Sequence, residues 1–465
     1  MSLPNGPKNP PLLLLLRWIA DPISILQACA QQYGECFTLN LGRYAPFVFF
    51  SHPEAIEQIF ALGDDAVQVG SSNSILRPTL GDHSLLLLDG DRHQRQRQLL
   101  MPSFHGERMR AYGALIQQVT EQEIQTWTAD QVFTLRPAMQ RISLQVIIEA
   151  IFGVQDSDRA QALQQRTADL LHLTTSPLGF ASAFFPILQR DLGRWSPGGK
   201  FLYLKQQVDE LIYAEIRDGR SHLDPNRTDV LSLMMAAVDE QGQGMTDVEL
   251  RDELMTLLLA GHETTATALS WALYWIYQNP ALVQQLRDEL AQPSEGDRLS
   301  LMRLPLLNAV CMETLRIYPV AFIAGPRFSQ KPISIMGTTF PSNTLLTPCI
   351  YLAHRRPELY SDPETFRPER FLDRQFSAFE FLPFGGGNRR CIGSAFALFE
   401  MKQVLATILS HCDVAIAEPQ PVRPVRRGVT IAPKTGIRAR LVTSQNKGTY
   451  ISTPMPNTVP SKLTE

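Results

Sequence analysis

The chain has 465 residues, 43 Lys and Arg against 46 Asp and Glu, 44 % hydrophobic residues and 6 Cys. At this length roughly three quarters of the unfolded surface can be buried, so no disulfide framework or structural metal is needed to hold a core. The formal charge of -3 lacks the basic excess that marks a nucleic-acid binder, and that class is set aside.

The chain opens with five leucines, Leu12 to Leu16, followed by Arg17 and Trp18. A spanning helix needs about 20 apolar residues and a signal peptide a positive start, so a short amphipathic lead-in packed on the body is expected. No Gly/Ser-rich or Pro-rich linker divides the chain, and a single domain over 1–443 is predicted. The polar residues 444–465 read as a frayed tail. The cysteines Cys29, Cys36, Cys311, Cys349, Cys391 and Cys412 form no CxxC pair, which fits a reducing, cytoplasmic setting.

Apolar residues at three- and four-residue spacing predict helices over Tyr112 to Trp127, Met139 to Phe152, Ala160 to His172, Leu202 to Arg217 and Thr228 to Glu240. Three hairpins are expected: Cys36 to Leu41 with Pro46 to Phe50, Ile333 to Phe340 with Thr344 to Tyr351, and Gly428 to Ile431 with Ile437 to Val442. The class is therefore mainly α with small antiparallel β-sheets. No GxGxxG follows a strand and no GxxxxGK[ST] occurs, which excludes nucleotide binding by those devices.

Thr246-Asp247-Val248-Glu249 reads as a capping box opening a helix to about Gln278, roughly 45 Å long. In its middle lies Ala260-Gly261-His262-Glu263-Thr264-Thr265. A glycine in a helix interior costs about 1 kcal/mol against alanine, and a carboxylate in an apolar stretch is costly too, so the defect points to function.

The most informative segment is Phe384-Gly385-Gly386-Gly387-Asn388-Arg389-Arg390-Cys391-Ile392-Gly393, ahead of an apolar helical run from Ser394 to Leu409. The glycines let backbone pass close to something flat or bulky. A cysteine at a helix start, beside two arginines, favours the thiolate that an iron ligand must be.

The pattern Phe384-x-x-Gly387-x-Arg389-x-Cys391-x-Gly393 resembles the haem-thiolate signature of the cytochromes P-450. The resemblance implies a haem b held between the long central helix and the helix after Cys391, with Cys391 as the iron ligand and Phe384 and Gly393 beside it. It implies an acid-alcohol pair, Glu263 and Thr264, that delivers protons to dioxygen so that water leaves, with Gly261 opening the helix for dioxygen. His262 receives no catalytic role. The same likeness makes Glu313, Arg316 and Arg370 a buried structural lock, and His93, Arg97, Arg327 and Arg389 the contacts of the haem propionates, His93 standing where tryptophan is commoner.

Family position gives the pocket walls: the loop Val69 to Leu88, the helix face at Leu257, Ala260 and Gly261, the segment Val320 to Ala324 with Phe322, and the strand edge Val429 to Ile431. The uncharged Val320 to Ala324 segment favours a hydrophobic substrate. The start Pro4-Asn5-Gly6-Pro7 and the segment Leu88 to Met109 are similar to a cyanobacterial group associated with fatty acids, alkanes and terpenes. Electrons are expected from a separate ferredoxin or flavodoxin with its NAD(P)H reductase, and Arg389, Arg390 and Lys402 are candidates for that dock. The implied activity is an O2-dependent monooxygenase. A peroxide-dependent or isomerising enzyme of the same fold, or a haem-binding sensor or carrier, is the alternative.

Overall fold

A computed structural model describes residues 3–104, 108–153, 158–221, 227, 229–292, 298–442 and 458–459. The capping box forms as expected: Thr246 accepts from the Glu249 amide at 3.2 Å, and Glu249 accepts from the Thr246 amide at 2.8 Å. With its first amides satisfied and no proline inside, the helix Asp247–Tyr277 runs 31 residues until Asn279-Pro280 stops it. It is almost wholly buried, lies along the helix Leu135–Phe152 and also contacts the helices Pro305–Ile317 and Ser394–His411. Burial on all sides, rather than along one stripe, is what lets it serve as the core's axis.

The predicted helices are present at Arg108–Gln125, Leu135–Phe152, Asp158–Thr175, Pro197–Ser221 and Val230–Ala236. The last is shorter than its apolar pattern because Asp229 caps its start and the chain turns extended at Ala237. The leucine run forms the helix Pro11–Ala20, with Leu14, Leu15 and Trp18 buried and Leu12, Leu13 and Leu16 exposed. Among the described residues no single helix is long and apolar enough to cross a membrane.

Of the three expected hairpins only the first forms, Cys36–Leu39 against Phe47–Phe50. Leu345–Pro348 leaves its expected partner and pairs in parallel with Phe47–Phe50 and antiparallel with Arg327–Ser329. The turn at Met336-Gly337 instead closes a tight hairpin, Ile333–Ile335 with Thr338–Phe340. The resulting five-stranded sheet runs Cys36–Leu39, Phe47–Phe50, Leu345–Pro348, Arg327–Ser329, Val67–Gln68, so it is mixed rather than purely antiparallel. Likewise Thr430–Pro433 pairs with Pro424–Arg427, while Arg438–Val442 lies between Asp413–Ile416 and Val132–Thr134. Most of the expected frayed tail lies outside the described residues. At Thr458 and Val459 it is docked: Thr458 bridges Thr365, and the Val459 amide donates to the Glu364 carbonyl at 2.9 Å.

Candidate haem site

The cysteine loop is closed by the Cys391 amide, which donates to the Phe384 carbonyl at 3.0 Å. Glycines are required inside it, Gly385 with φ +67 among them. Gly387 has φ +65, and a Cβ at Gly386 would stand 2.4 Å from the Phe60 ring. The helix Ser394–His411 starts just beyond, with Gly393 as its cap residue, so Cys391 precedes the first turn by two residues. Its sulfur opens onto a cavity of about 370 Å³ under the central helix. Protein on every other side shields it from bulk water, and this burial pushes the thiol's pKa up. The Gly393 amide, Arg97 and Arg390 pull it down without winning. A metal cation bound at the sulfur would favour the thiolate further.

The cavity face of the central helix is one stripe: Glu253, Thr256, Leu257, Ala260, Gly261, Thr264, Thr265 and Ala268 recur at helical spacing. The Thr264 hydroxyl donates to the Ala260 carbonyl one turn back. Gly261 reaches the cavity too, but its missing Cβ is needed on another side, where Ile147 Cδ1 would lie 2.9 Å away. Glu263 and His262 fall off the stripe. The Glu263 carboxylate is buried, paired with Arg136 and accepting from Gln140 Nε2 at 2.8 Å. Burial and Arg136 push the His262 imidazole down to about 4 despite Glu263, and its Nδ1 has no partner.

The four predicted propionate contacts, His93, Arg97, Arg327 and Arg389, all line this cavity. Arg389 Nη1 donates to the Leu88 carbonyl at 2.7 Å and Nη2 to Asp89 at 2.8 Å, while its buried Nε has no partner. Asp89 also accepts from the amides of Val69 and Gly70, each at 2.8 Å. Arg97 donates to the Arg390 carbonyl at 2.8 Å. Arg327 is 3 % exposed and is bonded to the carbonyls of Gly325 and Gly386, with no carboxylate. Burial and the neighbouring Arg389 push it down to about 10. Burial, with Arg389 and Arg97, likewise holds His93 down at about 4. Three arginines against one hydrogen-bonded acid among the described residues, around an open cysteine sulfur, suit a dianionic iron porphyrin. The residues fit haem: Cys391 for the iron, the three arginines with His93 beside them for the propionates, Phe384 and Gly393 as flanks.

Two predicted pocket residues are placed elsewhere. Phe322 turns away from the cavity into a cluster with Trp18, ring centroids 5.6 Å apart. Val429 is 52 % exposed in the turn before the strand Thr430–Pro433. Leu257, Ala260 and Val320 do line the cavity, as do Val69, Leu85 and Leu86 of the predicted loop. Lys402 is not a docking cation either, being 2 % exposed and donating to the Met302 carbonyl at 3.0 Å. Sequence reading missed Asp89, Arg136 and Gln140. Asp89 carried a signal, since an Asp-Gly pair stands at the head of the helix Gly90–Leu100 that bears His93 and Arg97.

Glu313, Arg316 and Arg370 come together. Glu313 and Arg316, both 0 % exposed, form a two-pronged pair at 2.7 and 2.9 Å, and Arg370 reaches Glu313 at 3.1 Å. The Arg367 amide donates to Glu313 at 2.8 Å. Arg316 also donates to the carbonyls of His354 and Pro363, so one helix ties down the loop before the cysteine segment.

The family model for cytochrome P450 matches residues 4–438. The chain belongs to the cytochrome P450 family. It is therefore a haem-thiolate monooxygenase, and family members bind haem b. It is 35 % identical over 444 residues to cytochrome P450 135B1 of Mycobacterium bovis, covering 95 % of this chain and 92 % of that one. Cytochrome P450 135A1 of Mycobacterium tuberculosis is 34 % identical over 450 residues, covering 96 % and 97 %. In fold this P450 is similar to the retinoic acid-bound cyanobacterial CYP120A1, with a TM-score of 0.81 at 24 % identity over 95 % of this chain and 99 % of the other.

Proposed function

We propose that this P450 inserts one oxygen atom of O2 into an apolar small molecule of the fatty-acid, alkane or terpene class. The observation that carries the reading is that the Cys391 sulfur and the Thr264 hydroxyl face one cavity whose other walls are largely aliphatic. When bound, haem b supplies an iron that activates dioxygen with electrons delivered from outside. The chain's own residues do the rest. Val69, Leu85, Leu86, Leu257 and Val320 bind the hydrocarbon and exclude water. The Thr264 hydroxyl, anchored on the Ala260 carbonyl, passes a proton into the cavity. Glu263, bonded to Arg136 and Gln140, is the proton source behind it. Gly261 keeps the helix slim between cavity and Ile147.

The electron donor is a separate ferredoxin or flavodoxin, served by an NAD(P)H reductase. Support comes from Arg390, the one member of the expected dock that stands exposed beside the cysteine. Six free cysteines support a reducing, cytoplasmic compartment.

Carbon monoxide added to the reduced protein should give the red-shifted Soret band of thiolate-ligated haem, and Cys391→Ala should abolish it. A band that persists overturns the ligand assignment. Fatty acids, alkanes and terpenes should perturb the haem spectrum on binding, and NADPH with ferredoxin partners should yield a hydroxylated product. Thr264→Ala should slow that turnover with binding unchanged, whereas an unaffected rate would favour the peroxide-dependent reading. Glu263→Gln should slow turnover more than binding, and an unchanged rate removes it from the proton path.

A further inference from the structure

Seven of the fourteen large hydrophobic side chains exposed among the described residues stand on two short segments, and none of the seven lines the haem cavity. Leu12, Leu13 and Leu16 are on the helix Pro11–Ala20. That helix already buries Leu14, Leu15 and Trp18 against the body, so an ordinary surface helix would turn polar residues outward where this one repeats leucine. Leu178, Ile187, Leu192 and Trp195 lie on residues 177–195, and Trp195 is the most exposed of the fourteen at 82 %.

The two segments are neighbours. Arg426 Nη1 donates to the Trp18 carbonyl at 2.8 Å, and its guanidinium carbon stands 5.7 Å from the centre of the Trp18 ring and 4.3 Å from that of Phe180. Arg43 donates to the Phe184 carbonyl at 2.8 Å, and Phe184 packs against the cluster that holds Leu14, Leu15 and Trp18. Single exposed leucines are ordinary on a protein surface, whereas leucines gathered with an exposed tryptophan mark a contact face.

The charges around this face indicate what covers it. Lys8, Arg17, Arg43, Arg190, Arg194 and Lys200 are exposed on the segments and at their borders. Among the described residues none of the six is ion-paired. The two nearby acids, Asp21 and Asp191, are engaged locally, accepting from the amides of Ser24 at 3.2 Å and Gly193 at 2.9 Å. This is a local basic excess in a chain of formal charge -3. A second copy docked face to face would set like charges against like. Leucines and a tryptophan edged by cations match an anionic bilayer, which takes apolar side chains below its headgroups and cations among them.

We propose that the helix Pro11–Ala20 and residues 177–195 form a membrane-docking face that seats this P450 on anionic lipid, with the leucines and Trp195 entering the interface and the cations meeting the headgroups. The contact is peripheral, since no helix spans the bilayer in it, and it is screened by salt. The site is independent of the substrate class named above, although a bilayer is also where hydrocarbons of that class collect.

The full-length, haem-loaded protein is sedimented with vesicles of phosphatidylcholine alone or with about 30 % phosphatidylglycerol added. Sedimented protein should rise about fivefold or more on the anionic vesicles and fall back at high salt. The triple variant Leu12→Ser, Leu13→Ser, Leu16→Ser should lose most of that binding, and so should Ile187→Ser with Trp195→Ser. Arg190→Glu with Arg194→Glu should lower it on anionic vesicles alone. Equal sedimentation with both vesicles, or none with either, overturns the proposal, as does binding that survives both apolar variants. Loss in only one of them overturns the two-segment face. If light scattering instead shows a dimer that the same variants dissociate, a second copy covers the face and the proposal fails. The carbon monoxide band should be unchanged in every variant, which keeps this outcome separate from the haem-thiolate reading.

Discussion

Two buried arginine clusters of this P450 are built from the same residue type and end differently. Around Glu313 the charges close on themselves: both guanidinium groups reach the carboxylate, and their remaining N–H groups meet the carbonyls of His354, Ser361, Pro363 and Thr365. Around the cavity Arg327 has only carbonyls, Arg389 keeps an unpartnered Nε, and Asp89 is the one acid hydrogen-bonded to the group. A cluster that satisfies itself belongs to the fold. A cluster left open to an anion from outside suits a cofactor.

The sharpest way to break this contrast is Glu313→Ala, which strands two buried cations and should cost about 3 to 5 kcal/mol, read as a lowered denaturant midpoint or loss of soluble protein. Retained stability would remove the lock. Arg327→Leu should behave oppositely. The haem-free protein should be as stable as wild type or more so, because a buried charge held down by desolvation is gone. Haem should dissociate faster, by roughly 1.5 to 3 kcal/mol of lost binding. Equal destabilisation of both forms would make Arg327 part of the fold after all.

A smaller effect is expected at acid pH. His93 sits at about 4 in the folded chain against an ordinary 6.5, so the unfolded state binds more protons between those values. Folded-state stability should therefore fall as pH drops from about 6.5 to 4. His93→Phe should flatten that slope, and haem, by adding anions beside the ring, should flatten it too. Least of all should follow from Lys331→Ala, which removes an exposed pair with Asp65 at 2.6 Å and should leave the unfolding midpoint unchanged.

What the sequence made legible was local. The capping box, the Gly-rich cysteine loop and the three-residue spacing of Glu313 and Arg316 are short patterns whose geometry follows from spacing alone. Strand pairing was not legible, since Leu345–Pro348 finds its parallel partner some 300 residues upstream and nothing in its alternation encodes that. Phe322 and Val320 show the same limit within one segment, because the chain's turn sends one side chain to the cavity and the other to Trp18. Lys402 read as a docking cation and is buried, because nothing in its own helix signalled that the Met302 carbonyl would meet it.

Asp89 clasps the amides of Val69 and Gly70 with the same carboxylate that steadies Arg389. Remodelling that loop to admit bulkier guests would accordingly disturb the seat of the porphyrin as well. Attempts to broaden what this P450 accepts should start from Leu85 and Leu86 and leave the aspartate alone.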